Sequence, residues 1–321
     1  MELPSSVSIS NSSAIDVYDS WLTPTCIVSD GAYGTGGFLT DPRTIDGLVG
    51  WYEPHIRKWT EKSTPSTTIW FWNTELGWAK VHTIFEKYGW LYNGCNIWNK
   101  GIGHIAGNVN TKTIGKFPQV TEVCVQYIKP PRFTVSGTDM DMGTWLRHEW
   151  KRSGLPYRAA NTACGTKNAA TRKYLASDEK WYMPPPEALD KMVNYVNQHG
   201  LESGKPYFST DGENTINSRN KISVKHKFHC KFGVTNVWDV APIRGKERIK
   251  INGKCVHPMQ KPLAIMKMIV EASTDVGDCV WEPFGGLCTA SVAAYQLGRV
   301  SFAAELDSNY CDVAASRFKL L

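Results

Sequence analysis

The chain has 321 residues, 42% apolar and 21% charged, with a net charge of +6, enough to bury a large core as one elaborated domain or two. No run reaches the roughly eighteen apolar residues of a membrane span, and the polar, acidic start does not read as a secretory leader. Nine cysteines without metal-ligand spacing read as thiols of a reducing cytosol.

From the amino terminus, Val7-Ser-Ile alternates as a short strand and Ala14 to Trp21 reads as a brief helix. Cys26-Ile27-Val28 is an apolar run that delivers Asp30 to a strand end, and Gly31-Ala32-Tyr33-Gly34 follows. A loop after a buried strand is where α/β proteins place chemistry. Ile45 to Lys58 reads as a helix, Thr67 to Asn73 as an aromatic-rich strand, and Trp78 to Tyr88 as a helix closed by Gly89. Leu91 to Trp98 and Thr121 to Ile128 return as strands, so the repetition predicts a parallel or mostly parallel sheet. The aromatic residues read as core, and Gly101 to Lys116 as a polar loop bordering the site.

Pro130-Pro131 marks a boundary. Beyond it Thr144 to Lys151 and Leu155 to Cys164 read as helices, Gly165 as a tight turn, and Thr166 to Tyr174 as a third helix carrying Lys167, Asn168, Thr171, Arg172 and Lys173. Helix, glycine turn, basic polar helix is a helix-turn-helix pattern, which sets its last helix in a major groove. There Arg172 would read guanine and Asn168 adenine, while the lysines hold phosphates. Residues 143–254 carry 20 Lys and Arg against 10 Asp and Glu, the rest of the chain 16 against 20, the footprint of a polyanion-binding region. A plain helical hairpin with a solvated basic face is the competing reading. A further helix runs through Val196, and residues 200–235 are polar, basic and loop-like. His226, His229 and Cys230 lie close together there but lack a second half, and read as structural, with no metal.

Val237 to Val240 returns to strand, and His257-Pro258-Met259-Gln260-Lys261-Pro262 precedes a helix from Leu263. Cys279 to Trp281 then reads as a strand buried on both faces. It meets Glu282, Phe284, Gly285, Gly286, Cys288 and Thr289, followed by a helix that Gly298 ends and a strand closing on Glu305. This is one βαβ unit with a glycine turn at the carboxyl end of its first strand, where open α/β sheets bind ligands. Glycines admit a ligand close to the backbone, and an acid about twenty residues on can bind both ribose hydroxyls. The nucleotide reading needs these parts together, since a Gly-Gly alone is usually only a turn.

The Asp30-Gly31-Ala32-Tyr33 loop, the His257–Pro262 run and the Glu282–Thr289 loop, in that order, together resemble the β-class amino-methyltransferases of DNA. In that family a catalytic Asp-Pro-Pro-Tyr precedes the target-recognition region, His-Pro-x-Gln-Lys-Pro and Asp-Pro-Phe-x-Gly-Ser-Gly-Thr. Trp98-Asn99-Lys100 is similar to a further family Trp-x-Lys. The resemblance implies an α/β, S-adenosylmethionine-dependent, Rossmann-like methyltransferase sheet in the circularly permuted β-class order. Residues 1–130 would form the catalytic half, 131–235 an inserted helical target-recognition region, and 236–321 the S-adenosylmethionine-binding half. Asp30 and the Gly31 carbonyl would hold the exocyclic amine of a base taken out of duplex DNA, and Tyr33 would stack on it. Asp30, His257, Gln260, Lys261, Pro262, Glu282, Phe284, Gly285, Gly286, Cys288, Thr289 and Glu305 would line the cofactor pocket.

Three departures from the family pattern stand out: Gly31-Ala32 for two prolines, Glu282 for Asp, and Ser12-Ser13-Ala14-Ile15 where the family has Gly-Asp-x-Leu. Asp30 in register with Tyr33 favours the N6 of adenine over the N4 of cytosine, with Ser29 keeping the second open. The resemblance further implies a cytoplasmic enzyme with a cognate restriction endonuclease. A DNA-binding protein that has lost catalysis is the reading from another class.

Overall fold

The computed structural model describes residues 3–105, 112–216 and 226–320; parts of the loops expected over 101–116 and 200–235 lie outside them. In chain order the elements are β1 (Val7–Asn11), α1 (Ala14–Val17), β2 (Cys26–Ser29), α2 (Leu48–Lys62), β3 (Thr68–Asn73), α3 (Glu75–Lys87), β4 (Leu91–Asn99) and β5 (Thr121–Ile128). There follow β6 (Arg132–Val135), β7 (Thr138–Asp141), α4 (Met142–Arg152), α5 (Ala159–Cys164), α6 (Pro186–His199) and β8 (Val237–Asp239). The chain closes with β9 (Lys250–Ile251), β10 (Lys254–Cys255), α7 (Leu263–Ser273), β11 (Cys279–Glu282), α8 (Thr289–Gln296), β12 (Val300–Glu305) and α9 (Ser308–Arg317).

These elements fall into two compact units, 1–129 with 226–321, and 130–225. The second boundary lies ten residues before the expected 235. Residues 226–231 fasten to the first unit, where the His229 N–H donates to the Ala272 carbonyl and Lys227 pairs with Asp275 and Asp278.

In the first unit the described residues form an eight-stranded sheet in the order β1-β12-β11-β2-β3-β5-β4-β8. Every neighbouring pair is parallel except those involving β5, which runs against both β3 and β4. Leaving β11, the chain crosses through α8 to β12 on one side; leaving β2, it crosses through α2 to β3 on the other. Between the carboxyl ends of β11 and β2 therefore lies a topological switch point, where such sheets take their ligands.

β3 illustrates how the sequence builds the layers. All six of its residues are buried, and with a side-chain period of two they sort to opposite faces. Ile69 and Phe71 join a cluster with Tyr52, Trp59 and Phe85 from α2 and α3, while Trp70 and Trp72 join Trp98, Trp238 and the α7 and α8 side chains. Burying one such aromatic side chain contributes roughly 1.5–3 kcal/mol, so these paired clusters anchor both helical layers.

The second unit has its own core of Trp145, Leu146, Trp150, Met192, Val193 and Phe208, beneath the β6–β7 hairpin. Its buried charge is satisfied: Glu149 takes Arg152 at 2.6 Å and the Phe208 N–H at 2.8 Å. The third helix expected over 166–174 does not form as an α-helix. Ala170 to Tyr174 make a single wide, π-type turn, because Asn161 captures the hydroxyl and N–H of Thr171, whose hydroxyl in turn donates to the Tyr157 carbonyl.

Candidate active site

β2 carries Asp30 to the carboxyl edge of the sheet, and the loop returns Tyr33 beside it, its hydroxyl donating to Asp30 Oδ1 at 2.9 Å. Lys261, which the family resemblance assigned to the cofactor pocket, reaches the same oxygen at 2.6 Å and the Tyr33 hydroxyl at 3.2 Å. Its third partner is Glu122 on β5, 3.4 Å away, and Lys100 closes the row on the far side of Glu122. Burial works to lower the Lys261 ammonium, yet Asp30 and Glu122 hold it above its ordinary value. Burial works the other way on Glu122, and Lys261 and Lys100 hold it below the usual carboxylate range. Tyr33 is pushed well up by burial and by the two carboxylates, so it stays a hydrogen-bond donor.

The loop between Asp30 and Tyr33 is gripped from below. The Ala32 carbonyl accepts from Tyr52 at 3.0 Å and from Asn73 at 2.9 Å. The Gly31 carbonyl accepts nothing among the described residues. A side chain on Gly31 has no room, since its Cβ would lie 2.6 Å from the ring of Phe284 and 2.9 Å from the Tyr52 hydroxyl. Phe284 itself leaves the glycine turn and packs into the aromatic cluster, 4.9 Å from Trp51 and 5.0 Å from His55 between ring centroids.

At the end of β11 the two acids of the βαβ unit have different duties. Glu282 is buried, and both its oxygens are taken by the start of α8: Oε1 accepts from the Ala290 N–H, and Oε2 from the Ser291 N–H and hydroxyl. Burial pushes its carboxyl up to about 7 in spite of these donors. Glu305 ends β12 partly exposed, receives the Gly286 N–H at 2.7 Å, and sits beside β1, where Asn11 pairs with it in register. Just past Asn11, the buried Ser12 hydroxyl has no partner among the described residues.

The remaining predicted residues divide into walls and struts. His257 stacks on Phe38 with centroids 5.2 Å apart and lies against Gly286, and burial pushes its imidazole down to about 4. Cys288 holds a left-handed backbone, φ 52°, in the slot where the family motif has its last glycine, with its thiol over Gly285. Thr289 is fixed by Arg317 of α9 at 3.1 Å. Gln260 braces residues 247–249 through the Glu247 carbonyl and the Ile249 N–H, and Pro262 starts α7. In the second unit, Lys167, Asn168, Arg172 and Lys173 are exposed, while Thr171 is only half-exposed.

Sequence reasoning missed Glu122, Tyr52, Asn73 and Arg317. Only Glu122 left a usable signal, an acid in a strand otherwise bound for the sheet interior. The rest acquire their roles through tertiary packing.

The comparisons with known proteins show the family. A family model described as DNA methylase, covering N6 and N4 methyltransferases, matches residues 25–316. The chain belongs to the DNA methylase family. Among curated proteins this methylase is 36% identical over 85 residues to the type II methyltransferase M.HinfI of Haemophilus influenzae, covering 26% of the chain and 24% of that protein. It is 37% identical over 82 residues to the DNA adenine methyltransferase YhdJ of Escherichia coli, covering 26% of each. The chain thus spans about a quarter of the length of the curated relatives it matches. Two solved structures share the fold: the M1.HpyAVI–SAM complex, at TM-score 0.51 and 15% identity over 97% of this chain and 98% of that one, and the cytosine-N4-specific PvuII DNA methyltransferase, at 0.54 and 12% over 100% and 89%. The sheet is accordingly of the α/β methyltransferase type. Among the described residues no helix is long and apolar enough to cross a membrane.

Proposed function

We propose that this methylase transfers a methyl group from S-adenosylmethionine to the exocyclic N6 of adenine in duplex DNA, acting in the cytoplasm within a restriction–modification pair. The observation that carries the reading is the meeting of the Asp30–Tyr33 loop and the Gly285–Gly286 turn at one switch point of the sheet, joined by the Gly31–Phe284 contact.

The residues present fit the cofactor. The partly exposed Glu305 and the unpartnered Ser12 hydroxyl, at the adjoining ends of β12 and β1, suit a ribose and a purine edge. Gly286 presents bare backbone beside His257, with Phe38 stacked on that imidazole, while the Cys288 thiol covers Gly285. S-adenosylmethionine, when bound, supplies a methyl group carried on a sulfonium. Glu282, whose oxygens are both engaged by α8, shapes this pocket and does not line it.

The chain's own work is done on the amine. An exocyclic amine is a poor nucleophile because its lone pair is delocalised into the ring. Asp30 accepts one amine N–H and the uncommitted Gly31 carbonyl accepts the other, which returns the lone pair to nitrogen. As the new N–C bond forms, the methyl's bond to sulfur would break with its electron pair left on a neutral thioether, and the amine would shed one proton toward Asp30. Tyr33 stacks on the base once it has left the duplex, at an unstacking cost of a few kcal/mol.

The test is incubation of the purified protein with genomic DNA and labelled S-adenosylmethionine, followed by mass spectrometry of the nucleosides. Label in N6-methyladenine is expected. Label in N4-methylcytosine would keep the chemistry and change the base, the second reading, which the likeness to the PvuII enzyme and Ser29 favour. Label in neither, from folded protein beside an active control, would leave a DNA-binding protein without catalysis.

A further inference from the structure

We infer that Glu122 is a positioning residue for methyl transfer, holding Lys261 so that the Asp30 carboxylate keeps one oxygen turned to the target amine. The inference rests on the reading of Asp30 proposed above.

An ammonium has three N–H donors and no acceptor, and Lys261 finds three acceptors: Asp30 Oδ1 at 2.6 Å, the Tyr33 hydroxyl at 3.2 Å and Glu122 Oε2 at 3.4 Å. Its side chain is only 6% exposed, so the three acceptors take the place of the water that would surround an exposed ammonium. Both protein contacts to Asp30 fall on Oδ1, and among the described residues none falls on Oδ2. That asymmetry is what an acceptor awaiting an amine needs. It persists only while Lys261 is drawn away from Oδ2, and Glu122 supplies the pull. Glu122 is itself aimed by Lys100. Without its charge, one buried N–H of Lys261 keeps at best a neutral acceptor in place of an ionised one, and the charge-assisted bond that drew the ammonium toward β5 is weakened. The lysine then turns toward the second oxygen of Asp30.

Around Lys261 stand Asp30 and Tyr33 from the β2 loop, Glu122 and Cys124 on β5, Lys100 on β4 and His257 on its own segment, with the Trp72 ring 5.1 Å from the ammonium. Removing the Glu122 charge leaves burial opposed by Asp30 alone, so Lys261 would deprotonate at a lower pH.

Glu122→Gln, which keeps size and shape, tests this beside Glu122→Asp. Expected for Glu122→Gln is a kcat lower by about ten- to a hundredfold, the cost of a group misplaced by about 1 Å. Its S-adenosylmethionine Kd should stay within about twofold of wild type, on the grounds that Lys261 serves Asp30 and not the cofactor. The alkaline limb of its kcat profile should move to lower pH, with Glu122→Asp recovering part of the loss. Independently of turnover, titration of the Lys261 ammonium by 15N NMR in the cofactor-free protein should show the same displacement. A wild-type kcat and pH profile in a folded Glu122→Gln protein would overturn the inference, as would a kcat loss matched by an equal loss of cofactor affinity. Failure of the wild-type protein to methylate any DNA base is a separate result and would remove the reading of Asp30 itself.

Discussion

Gly31 and Phe284 compete for one volume: a Cβ on the first would stand 2.6 Å from the ring of the second. The departure from the family's proline is therefore matched by where the phenylalanine packs. Gly31→Ala is expected to destabilise the fold by about 1–3 kcal/mol, the usual cost of overpacking a filled core, and to lower methyl transfer, although it adds no more than a Cβ, which the family's proline also carries. Phe284→Leu in the same chain should return part of both losses. Denaturant midpoints and single-turnover rates of the two single variants and the double variant measure the coupling, and simple additivity would refute the interlock.

Tyr33 contributes a ring and a hydroxyl, and the two are separable. Tyr33→Phe keeps the stacking surface and loses the hydroxyl that donates to Asp30 at 2.9 Å and accepts from Lys261 at 3.2 Å, so kcat should fall by roughly ten- to thirtyfold, on the scale of about 1 kcal/mol for each hydrogen bond. Tyr33→Ala removes the surface on which the flipped base rests, and stacking is worth about 1–3 kcal/mol per base. The alanine variant should therefore also raise KM for duplex DNA. Equal kinetics for the two variants would deny the ring its role.

Glu282 gives the fold a pH dependence of definite sign. Its carboxyl is raised from an ordinary 4.5 to about 7 by burial, so between those values the folded chain binds a proton that the unfolded chain has released. The resulting stability is present below the unfolded value and is lost as pH rises through the window, by on the order of 3 kcal/mol in all. Urea unfolding at pH 4.5, 6 and 7.5 should show this decline, and Glu282→Gln should flatten it. An unchanged slope in the variant would assign the window to other groups.

The parts of this molecule legible in the sequence are those where a local pattern and a burial pattern coincide. Cys26 to Val28 and Cys279 to Trp281 could be read as buried strands because both faces are apolar, and the glycine turn followed from their spacing. The reversed direction of β5 was not legible, because alternation along Thr121–Ile128 is the same for either sense of pairing. Lys261 stood out as part of a motif, but its partnership with Asp30 spans 231 positions and depends on how β2 and the segment before α7 converge. The wide turn after α5 was hidden for a different reason: Thr171 and Asn161 are good helix-turn-helix residues by type, and their mutual hydrogen bond, visible only in three dimensions, diverts the backbone.

That turn also sharpens the prediction for DNA contact. Lys167 and Arg172 are exposed, whereas the Thr171 hydroxyl is spent on Asn161 and the Tyr157 carbonyl. If the exposed residues meet the duplex, Lys167→Ala should weaken binding about equally for all sequences and reduce the slope of log K against log salt by about 0.9, the value for one lost phosphate contact. Arg172→Ala should instead cost about 1–3 kcal/mol on the cognate site alone and relax the choice of base. Thr171→Val should lower the stability of the 130–225 unit and leave the salt slope as in wild type. Fluorescence anisotropy with cognate and scrambled duplexes across a salt series separates the three. Wild-type affinity, base choice and salt slope in both Lys167→Ala and Arg172→Ala would mean that this basic turn is a solvated face and that recognition lies elsewhere.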